Sequence, residues 1–331
     1  MKLFTLKSVL KAERITRLYG GDKLQNEINN GFATGKAKKR KKIKSKAEKR
    51  TKFKSACFLA PSFFGVTLFF GAPFLVIIYY AFLDNPITRN FVGFENFKNI
   101  WNNFAFRQAA KNTLTFSAIA VPLAVVLSLL LAIALEEQIP MKSKFRTFFL
   151  SPMMVPVASI VLIWQVIFHN NGALNDIITL LGGTPIDWFK SSKSQIVVIV
   201  LFLWKNLGYN MILFMAALSS IPKASIEAAE VDGAGSVRIF FSIKMRYISS
   251  SVLFVTILSL INSFKVFREV YLLTGDHPYD SLYMLQHFMN NVLQKLDYQK
   301  LSAASIIMFI FMVIIIGILF VIDNHFGRDV E

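Results

Sequence analysis

The chain has 331 residues, of which 54% are hydrophobic, and its mean hydropathy is +0.49. This composition is typical of a membrane protein and excludes an ordinary soluble domain. The formal net charge of +17 is unevenly distributed, because residues 1–54 contain 18 of the 37 basic residues and only 4 of the 20 acidic residues. The single cysteine, Cys57, excludes an internal disulfide.

The N-terminal arm, residues 1–54, is predicted to have two parts. Residues 1–20 interleave apolar and basic side chains, which predicts an amphipathic helix on an anionic membrane surface. Residues 36–54 are a lysine-rich tract without apolar periodicity, which predicts disorder. A basic run beside a first apolar segment favours an orientation signal that contacts lipid headgroups over a nucleic-acid site. Residues 31–37, GFATGKA, are rejected as a phosphate-binding loop, because the spacing is one residue short and Ala37 replaces the Ser or Thr.

Six apolar segments follow the arm, and each can reach the length of about 20 residues that a spanning helix needs. They cover residues 55–83, 112–135, 147–175, 194–222, 247–264 with an extension toward 273, and 301–322. Core helices of a large soluble protein are the alternative, but six segments of this length disfavour it. The sequence therefore predicts an all-α polytopic membrane protein with six transmembrane helices and a short tail at residues 326–331.

The charges of the connections predict the orientation of these segments. Basic residues precede segment 1 and recur at 142–146 and 223–246, so these parts are expected in the cytoplasm. The connection between segments 5 and 6 is richer in aspartate and is expected outside. An even number of spans then places both termini in the cytoplasm.

The connection between segments 4 and 5, residues 221–246, reads IPKASIEAAEVDGAGSVRIFFSIKMR. Its alanines favour a helix over 223–231. Gly233 is expected where that helix stops, because glycine tolerates positive φ. Ser236 is predicted to cap a second helix, from 237 to about 247. The predicted arrangement is a pair of short helices joined by a glycine hinge, and an ordinary solvated loop is the alternative.

The spacing within this connection resembles the cytoplasmic coupling loop of the membrane subunits of ATP-binding-cassette importers. The matching residues are Glu227, Ala228, Ala229, Gly233 and Ile243. The resemblance implies that the loop takes force from an ATPase on another chain, with Glu227 as the docking carboxylate and Gly233 as the hinge. The family usually continues after the isoleucine with x-Leu-Pro, whereas this chain has Met245 and Arg246. This departure leaves open how the next helix begins.

Further stretches resemble the carbohydrate-uptake branch of that family, similar to the maltose-type permeases. They are residues 60–62, 91–97, 112–114, 146–164 and 263–275. The resemblance implies the type I importer permease fold for residues 55–325, with the coupling loop at 221–246. Residues 275–278, Gly-Asp-His-Pro, depart from the usual Gly-Gly-Gly-Pro, and the basic arm has no counterpart in the family.

Polar residues inside segments 4 and 5 mark a candidate solute path, because polar groups in spanning helices tend to face a cavity or each other. Two faces are formed, by Phe202, Asn206, Tyr209 and Asn210 on segment 4 and by Thr256, Ser259, Asn262 and Ser263 on segment 5. Uncharged hydroxyls and amides suit a polyol, and a tyrosine ring can lie against a sugar. The resemblance to maltose-type permeases implies sugar contacts near Phe202, Asn206, Tyr209, Ser259, Asn262 and Ser263. Hydrogen bonding between helices is the alternative interpretation.

Lys205 is unusual in the middle of segment 4. It is expected to snorkel, to pair with a carboxylate on a partner chain, or to bind an acidic solute. Lys265, Arg268 and Glu269 follow segment 5, where ion pairing is the simplest interpretation. The four histidines have no metal-site spacing, and we find no catalytic pair, nucleophile motif or cofactor motif. The chain is therefore predicted to be non-catalytic, with no metal or cofactor of its own.

These observations predict the plasma-membrane permease subunit of a bacterial, binding-protein-dependent importer that forms half of the path for a sugar or oligosaccharide. The implied partners are a second homologous permease, two ATPase subunits that hold ATP and Mg²⁺, an extracellular solute-binding protein and membrane lipids, with no nucleic acid. A glycerol-phosphate-like anion, bound by Lys205 or Arg268, is an alternative solute. A self-sufficient secondary transporter is disfavoured, since the predicted spans lack Asp and Glu and show no internal repeat.

Overall fold

The computed structural model describes residues 46–136, 141–191 and 193–326. The predictions for residues 1–45 of the arm, including the amphipathic helix and the rejected phosphate loop, lie outside the described residues, as does the tail from residue 327. Within the described ranges the chain is helical, and its extended pairing is confined to an isolated bridge between Leu83 and Phe91. The prediction of an all-α fold is confirmed.

Fourteen α-helices are formed by the described residues. They are α1 (Lys46–Val66), α2 (Ala72–Ala81), α3 (Glu95–Asn102), α4 (Phe104–Glu136), α5 (Lys142–Met154), α6 (Val157–Ile167), α7 (Ala173–Leu180), α8 (Ser194–Ser219), α9 (Lys223–Val231), α10 (Ser236–Ile239), α11 (Met245–Phe264), α12 (Phe267–Thr274), α13 (Leu285–Gln294) and α14 (Tyr298–Phe326). Two π-helical turns, Thr67–Gly71 and Phe240–Lys244, and a 3-10 turn, Asp280–Leu282, complete the helical content of this part of the chain.

The chain divides into two compact units after Leu68. The described part of the first unit is α1 and the beginning of the π-turn that follows it. Here the lysine-rich tract was predicted to be disordered through residue 54, and that prediction is wrong for residues 46–54, which form the first turns of α1. Lysine, alanine and glutamate are all good helix formers, and an apolar helical segment directly follows them.

Five helical runs are long and apolar enough to cross a membrane. They are Lys54–Ala81, Phe104–Glu136, Ser194–Ser219, Ser236–Thr274 and Tyr298–Asn324. The predicted third segment is not a single helix, because α5 and α6 meet at a bend of 98°. Pro156 lacks a backbone N–H and disfavours helical geometry at the residue before it, where Val155 is extended with ψ of 134°. Counting this bent pair as one span gives six.

The core of the second unit lies where α4, α8 and α11 meet. Phe214 of α8, Ala132 of α4 and Val255 of α11 are completely buried there. Alanines at 120 and 124 are also buried, which permits close approach of the helices. By contrast, α14 presents Ile314, Ile318 and Val321 outward. Such an apolar outer face suits contact with lipid chains.

Candidate functional site

The turn at Gly233 ends α9 with a Schellman motif. The backbone N–H of Gly233 donates to Glu230 O at 3.0 Å, and that of Ala234 donates to Ala229 O at 2.9 Å. Gly233 has φ of +78°, the left-handed geometry that this motif requires at its turning residue. The predicted helix over 223–231 and the predicted glycine turn are therefore both present in the structure.

The second predicted short helix is not separate. After Gly233, α10 begins at Ser236, passes through the π-turn Phe240–Lys244 and continues into α11. The expected cap by Ser236 is also wrong, because Gly235 occupies the N-cap position and no side chain caps the helix. Met245 and Arg246 stand where the family usually has leucine and proline, and they form the first turn of α11 directly after the π-turn.

The five residues that match the coupling motif fall into three environments. Glu227 and Ala228 are exposed on α9, and Gly233 lies in the turn. Ala229 and Ile243 line one shallow groove of about 200 Å³ between α9 and the π-turn. The connection thus presents a carboxylate, a small side chain and a groove on one short, exposed stretch.

Three exposed apolar side chains are adjacent in sequence to residues that line this groove. Val231 is 88% exposed, Val237 is 72% exposed and Phe241 is 65% exposed. Exposed apolar residues next to a connection mark a surface that a partner or the membrane covers, and Val237 and Phe241 belong to the membrane-length run Ser236–Thr274. Their exposure was not predicted from the sequence, because it depends on how the two sides of the turn at Gly233 pack.

Two polar contacts and one apolar contact attach the connection to the helices beside it. Lys244 Nζ donates to Glu136 Oε2, at the end of α4, at 2.8 Å. The hydroxyls of Ser225 and Tyr247 lie 3.2 Å apart. Ile248 is completely buried in the core where α4, α8 and α11 meet. A displacement of the connection would therefore be transmitted to the ends of both α4 and α11.

A cavity of about 920 Å³ opens between α8 and the end of the Ser236–Thr274 run. Four of the predicted path residues line it, namely Phe202, Asn206, Tyr209 and Asn262. Asn262 Nδ2 donates to Asn206 Oδ1 at 3.1 Å, and Asn206 Nδ2 donates to Phe202 O at 2.8 Å. These bonds leave Asn262 Oδ1 and one N–H of each amide for other partners. The lining combines aromatic faces with amide and phenol groups.

Ser259 and Ser263 do not line this cavity. Both are completely buried. Ser259 Oγ accepts from Asn210 Nδ2 at 2.9 Å, and Ser263 Oγ lies 2.8 Å from Ser117 Oγ of α4. Both serines therefore form hydrogen bonds between helices, which was the alternative interpretation of this polar face.

Lys205 forms an ion pair with Glu269 of α12. None of the three interpretations from sequence named this pair, and Glu269 was expected to pair near its own position rather than with a residue 64 positions earlier. The Glu269 side chain is 9% exposed and that of Lys205 is 30% exposed. Removing the lysine would leave a buried carboxylate without its counter-ion, which costs several kcal/mol. Glu269 also lies within the membrane-length run Ser236–Thr274, so the prediction that the spans lack Asp and Glu is wrong.

Two further cations, Lys265 and Arg268, line the same cavity. Both are exposed, and neither has a carboxylate within 4.0 Å in the described part of the chain. The cavity wall therefore contains three cations and one carboxylate. Gln286 of α13 also lines it and was missed from sequence, because its position depends on how the 275–284 connection folds back.

His287 lies beside the cavity wall, outside the membrane-length helices, and is 1% exposed. Its Nδ1 accepts the backbone N–H of Met284 at 3.4 Å, while its Nε2 has no hydrogen-bond partner in the described structure. Burial lowers the pKa of His287 to about 4, and the charge of Asp276 opposes this shift. The imidazole is therefore neutral at physiological pH.

The sequence of this chain matches a known family and several characterised relatives. Residues 119–331 match the binding-protein-dependent transport system inner membrane component family. The chain is 30% identical over 258 residues to the sulfoquinovosyl glycerol transport system permease protein of Agrobacterium fabrum, covering 76% of this chain and 84% of that protein. It is 29% identical to the lactose transport system permease protein of Rhizobium radiobacter, covering 65% of this chain and 74% of the relative. It is also 29% identical to the sn-glycerol-3-phosphate transport system permease protein of Pectobacterium atrosepticum, covering 70% and 79%.

The fold is shared with a solved transporter. A chain of a bacterial ABC transporter involved in the import of the acidic polysaccharide alginate superimposes with a TM-score of 0.70 at 21% identity. The match covers 85% of this chain and 97% of that one. At this identity the likeness establishes a common fold.

Proposed function

Because the chain belongs to the family of binding-protein-dependent transport system inner membrane components, we propose that it is the permease subunit of an ATP-driven importer for a sugar or oligosaccharide. The observation that carries this proposal is the helical run Ser236–Thr274, which begins at an exposed connection and ends at a polar cavity. One continuous element thus joins a surface suited to a motor protein to a chamber suited to a solute.

The exposed connection is the proposed docking surface for an ATPase. Glu227 offers a carboxylate to an arginine or lysine of the partner, and the neighbouring Ala228 permits close approach of the two backbones. Val231 and Phe241 would be covered in the complex. Basic residues on this connection support a cytoplasmic location for it, where ATP is available, and with six spans the same location for both termini. ATP and Mg²⁺ would be held by two ATPase subunits, while this chain hydrolyses nothing itself.

The cavity is the proposed half of the solute path. Tyr209 and Phe202 offer ring faces to the C–H surface of a sugar, and Asn206 and Asn262 offer amide groups to its hydroxyls. A second, homologous permease would supply the other half, and an extracellular binding protein would deliver the solute. The names of relatives, lactose among them, support a polar carbohydrate. A glycerol-phosphate-like anion is the second candidate, favoured by Lys265 and Arg268 in the cavity wall.

ATP-driven closure of the ATPase pair would move α9 and rock the helices between inward-open and outward-open states. Gly233 is the proposed hinge. A Cβ at Gly233 would meet nothing within 4 Å, so a larger residue fits sterically and costs only the backbone strain of positive φ. We expect Gly233→Leu to assemble into the membrane and to abolish uptake; normal uptake by this variant would remove the hinge from the mechanism.

Docking is tested by comparing two carboxylates of the same helix. Glu227→Lys is expected to lose co-purification of the ATPase subunits and ATP-driven uptake in vesicles. Glu230→Lys is the matched control, since Glu230 is also exposed on α9 but lies outside the motif. Solute accumulation in vesicles that lack ATP, with no ATPase bound, would contradict the proposal and favour a self-sufficient transporter.

A further inference from the structure

The charge of the cavity is not balanced within this chain. Lys205 and Glu269 neutralise each other, which leaves Lys265 and Arg268 as a net positive surface. The described residues provide neither of them with a carboxylate within 4.0 Å. Both side chains are exposed, so they are hydrated in the free protein and available to an anionic partner.

The two cations line the same cavity as Asn262, one of the residues proposed to bind the solute. Asn262, Lys265 and Arg268 follow one another at intervals of three residues and all line the cavity. Asn262 already pairs with Asn206 across the chamber. A solute that contacts the two asparagines therefore has an ammonium and a guanidinium within reach of its far end.

The buried ion pair explains why these two cations, rather than Lys205, are available. Lys205 is already occupied by Glu269, whose side chain is only 9% exposed. Lys265 and Arg268 are exposed and uncommitted within this chain. Arginine is suited to a planar or tetrahedral anion because its guanidinium can donate two parallel hydrogen bonds.

We infer that the transported saccharide is anionic, carrying a carboxylate, sulfonate or phosphate that Arg268 and Lys265 bind while Asn206 and Asn262 hold its hydroxyls. This inference rests on the proposed function and narrows it from carbohydrates in general to acidic ones. Glu269 then contributes to selectivity, because its carboxylate neutralises Lys205 and the anion binds at Lys265 and Arg268 instead.

The solute is tested with the complete importer in ATP-loaded vesicles. The vesicles receive one mixture of neutral oligosaccharides, uronate oligosaccharides, a sulfonated glycoside and sugar phosphates, and the accumulated compounds are identified by mass spectrometry. We expect at least tenfold preference for acidic compounds over neutral ones of equal length. Accumulation of neutral saccharides as well as or better than acidic ones would overturn the inference and leave the proposed function standing. If no saccharide accumulates with ATP, the proposed function fails, and this inference fails with it.

The two residues are tested with the acidic compound that accumulates best. Arg268→Gln and Lys265→Gln are each expected to raise its KM about tenfold with little change in kcat, and more strongly at low salt. Lys295→Gln is the matched control, because Lys295 is exposed beyond the cavity at the end of α13 and its loss should leave KM unchanged. An unchanged KM in the Arg268 variant, together with weaker co-purification of the second permease, would show that the cation pairs with that subunit and would overturn the inference.

Discussion

Gly208 marks a close approach between the backbones of α8 and α5, and replacing it with alanine tests that contact. A Cβ on Gly208 of α8 would lie 1.9 Å from the carbonyl oxygen of Phe149 and 3.0 Å from the backbone nitrogen of Leu150, both in α5. Backbone atoms cannot swing aside as the end of a flexible side chain can. The two helices would have to separate by roughly 1.5 Å to restore van der Waals distance, and overpacking of this kind costs about 3 kcal/mol. Alanine gains about 1 kcal/mol over glycine in helix propensity. The net loss is about 2 kcal/mol, or roughly 30-fold in the folded-to-unfolded ratio.

The assay is thermal and denaturant unfolding of the purified complex in detergent. Gly317→Ala is the matched control, because Gly317 is also inside a membrane-length helix, yet a Cβ there would meet nothing within 4 Å. This control is expected to be neutral or to gain up to about 1 kcal/mol. Equal stability of Gly208→Ala and Gly317→Ala would refute the close approach of α5 and α8.

Three further predictions concern named contacts. Glu136→Lys and Lys244→Glu are each expected to reduce ATP-driven uptake several-fold, and combining them should restore at least half of it, because the 2.8 Å ion pair is re-formed with opposite polarity; a double variant as poor as either single one would contradict this. His287 should make unfolding pH-dependent, because its pKa is about 4 in the fold against 6.5 when free. The free energy of unfolding should be at its full value above pH 6.5 and lower by about 2 kcal/mol at pH 5. Unfolding measured as a function of pH should show this loss, and the His287→Gln variant should lack it. Asn175→Leu should destabilise the loop after α6 by about 3 kcal/mol, because Asn175 Oδ1 accepts hydrogen bonds from the Ile186 N–H and from the Trp188 indole. On heating, the red shift of tryptophan emission should occur at a lower temperature in this variant than in the parent protein.

The parts of the fold that depend on local chemistry could be predicted from the sequence. The helix over 223–231 is bounded by a proline before it and by a glycine that has to adopt positive φ after it. The apolar lengths of the segments predicted the spanning helices, since a bilayer sets a minimum length. Each of these features is decided within a few residues along the chain.

The bend at Pro156 shows why other parts could not be predicted. Pro61, Pro122 and Pro152 all lie inside helices that continue through them. Proline in an apolar segment therefore does not by itself mark a break, because neighbouring helices can re-satisfy the freed backbone groups. Whether a given proline bends a span depends on packing against other helices, which the segment's own sequence does not contain.

The same reasoning separates the polar residues of segments 4 and 5. Asn262 and Ser263 are adjacent in sequence, yet Asn262 lines the cavity and Ser263 is buried against Ser117. A helix rotates by about 100° per residue, so a polar stripe of this width spans both a cavity and a packing interface. The sequence can identify the stripe but cannot place its boundary, which is set by the position of α4.

The buried part of that stripe also explains how motion could reach the cavity. The pair formed by Ser263 and Ser117 connects α11 to α4, and the pair of Lys244 and Glu136 connects the π-turn before α11 to the end of α4. Between these two contacts α11 is one uninterrupted helix, and the π-turn Phe240–Lys244 that precedes it is a wider turn of the kind that often occurs at functional positions. If α9 is pushed by a motor subunit, α4 and α11 should therefore move together as one body, and the relative motion should fall on α8, which is joined to α11 by the hydrogen bonds Asn206–Asn262 and Asn210–Ser259. Cross-linking cysteines at Asn206 and Asn262 should then stop transport, whereas cross-linking cysteines at Ser117 and Ser263 should permit it. The opposite pattern would show that α4 and α11 separate during transport.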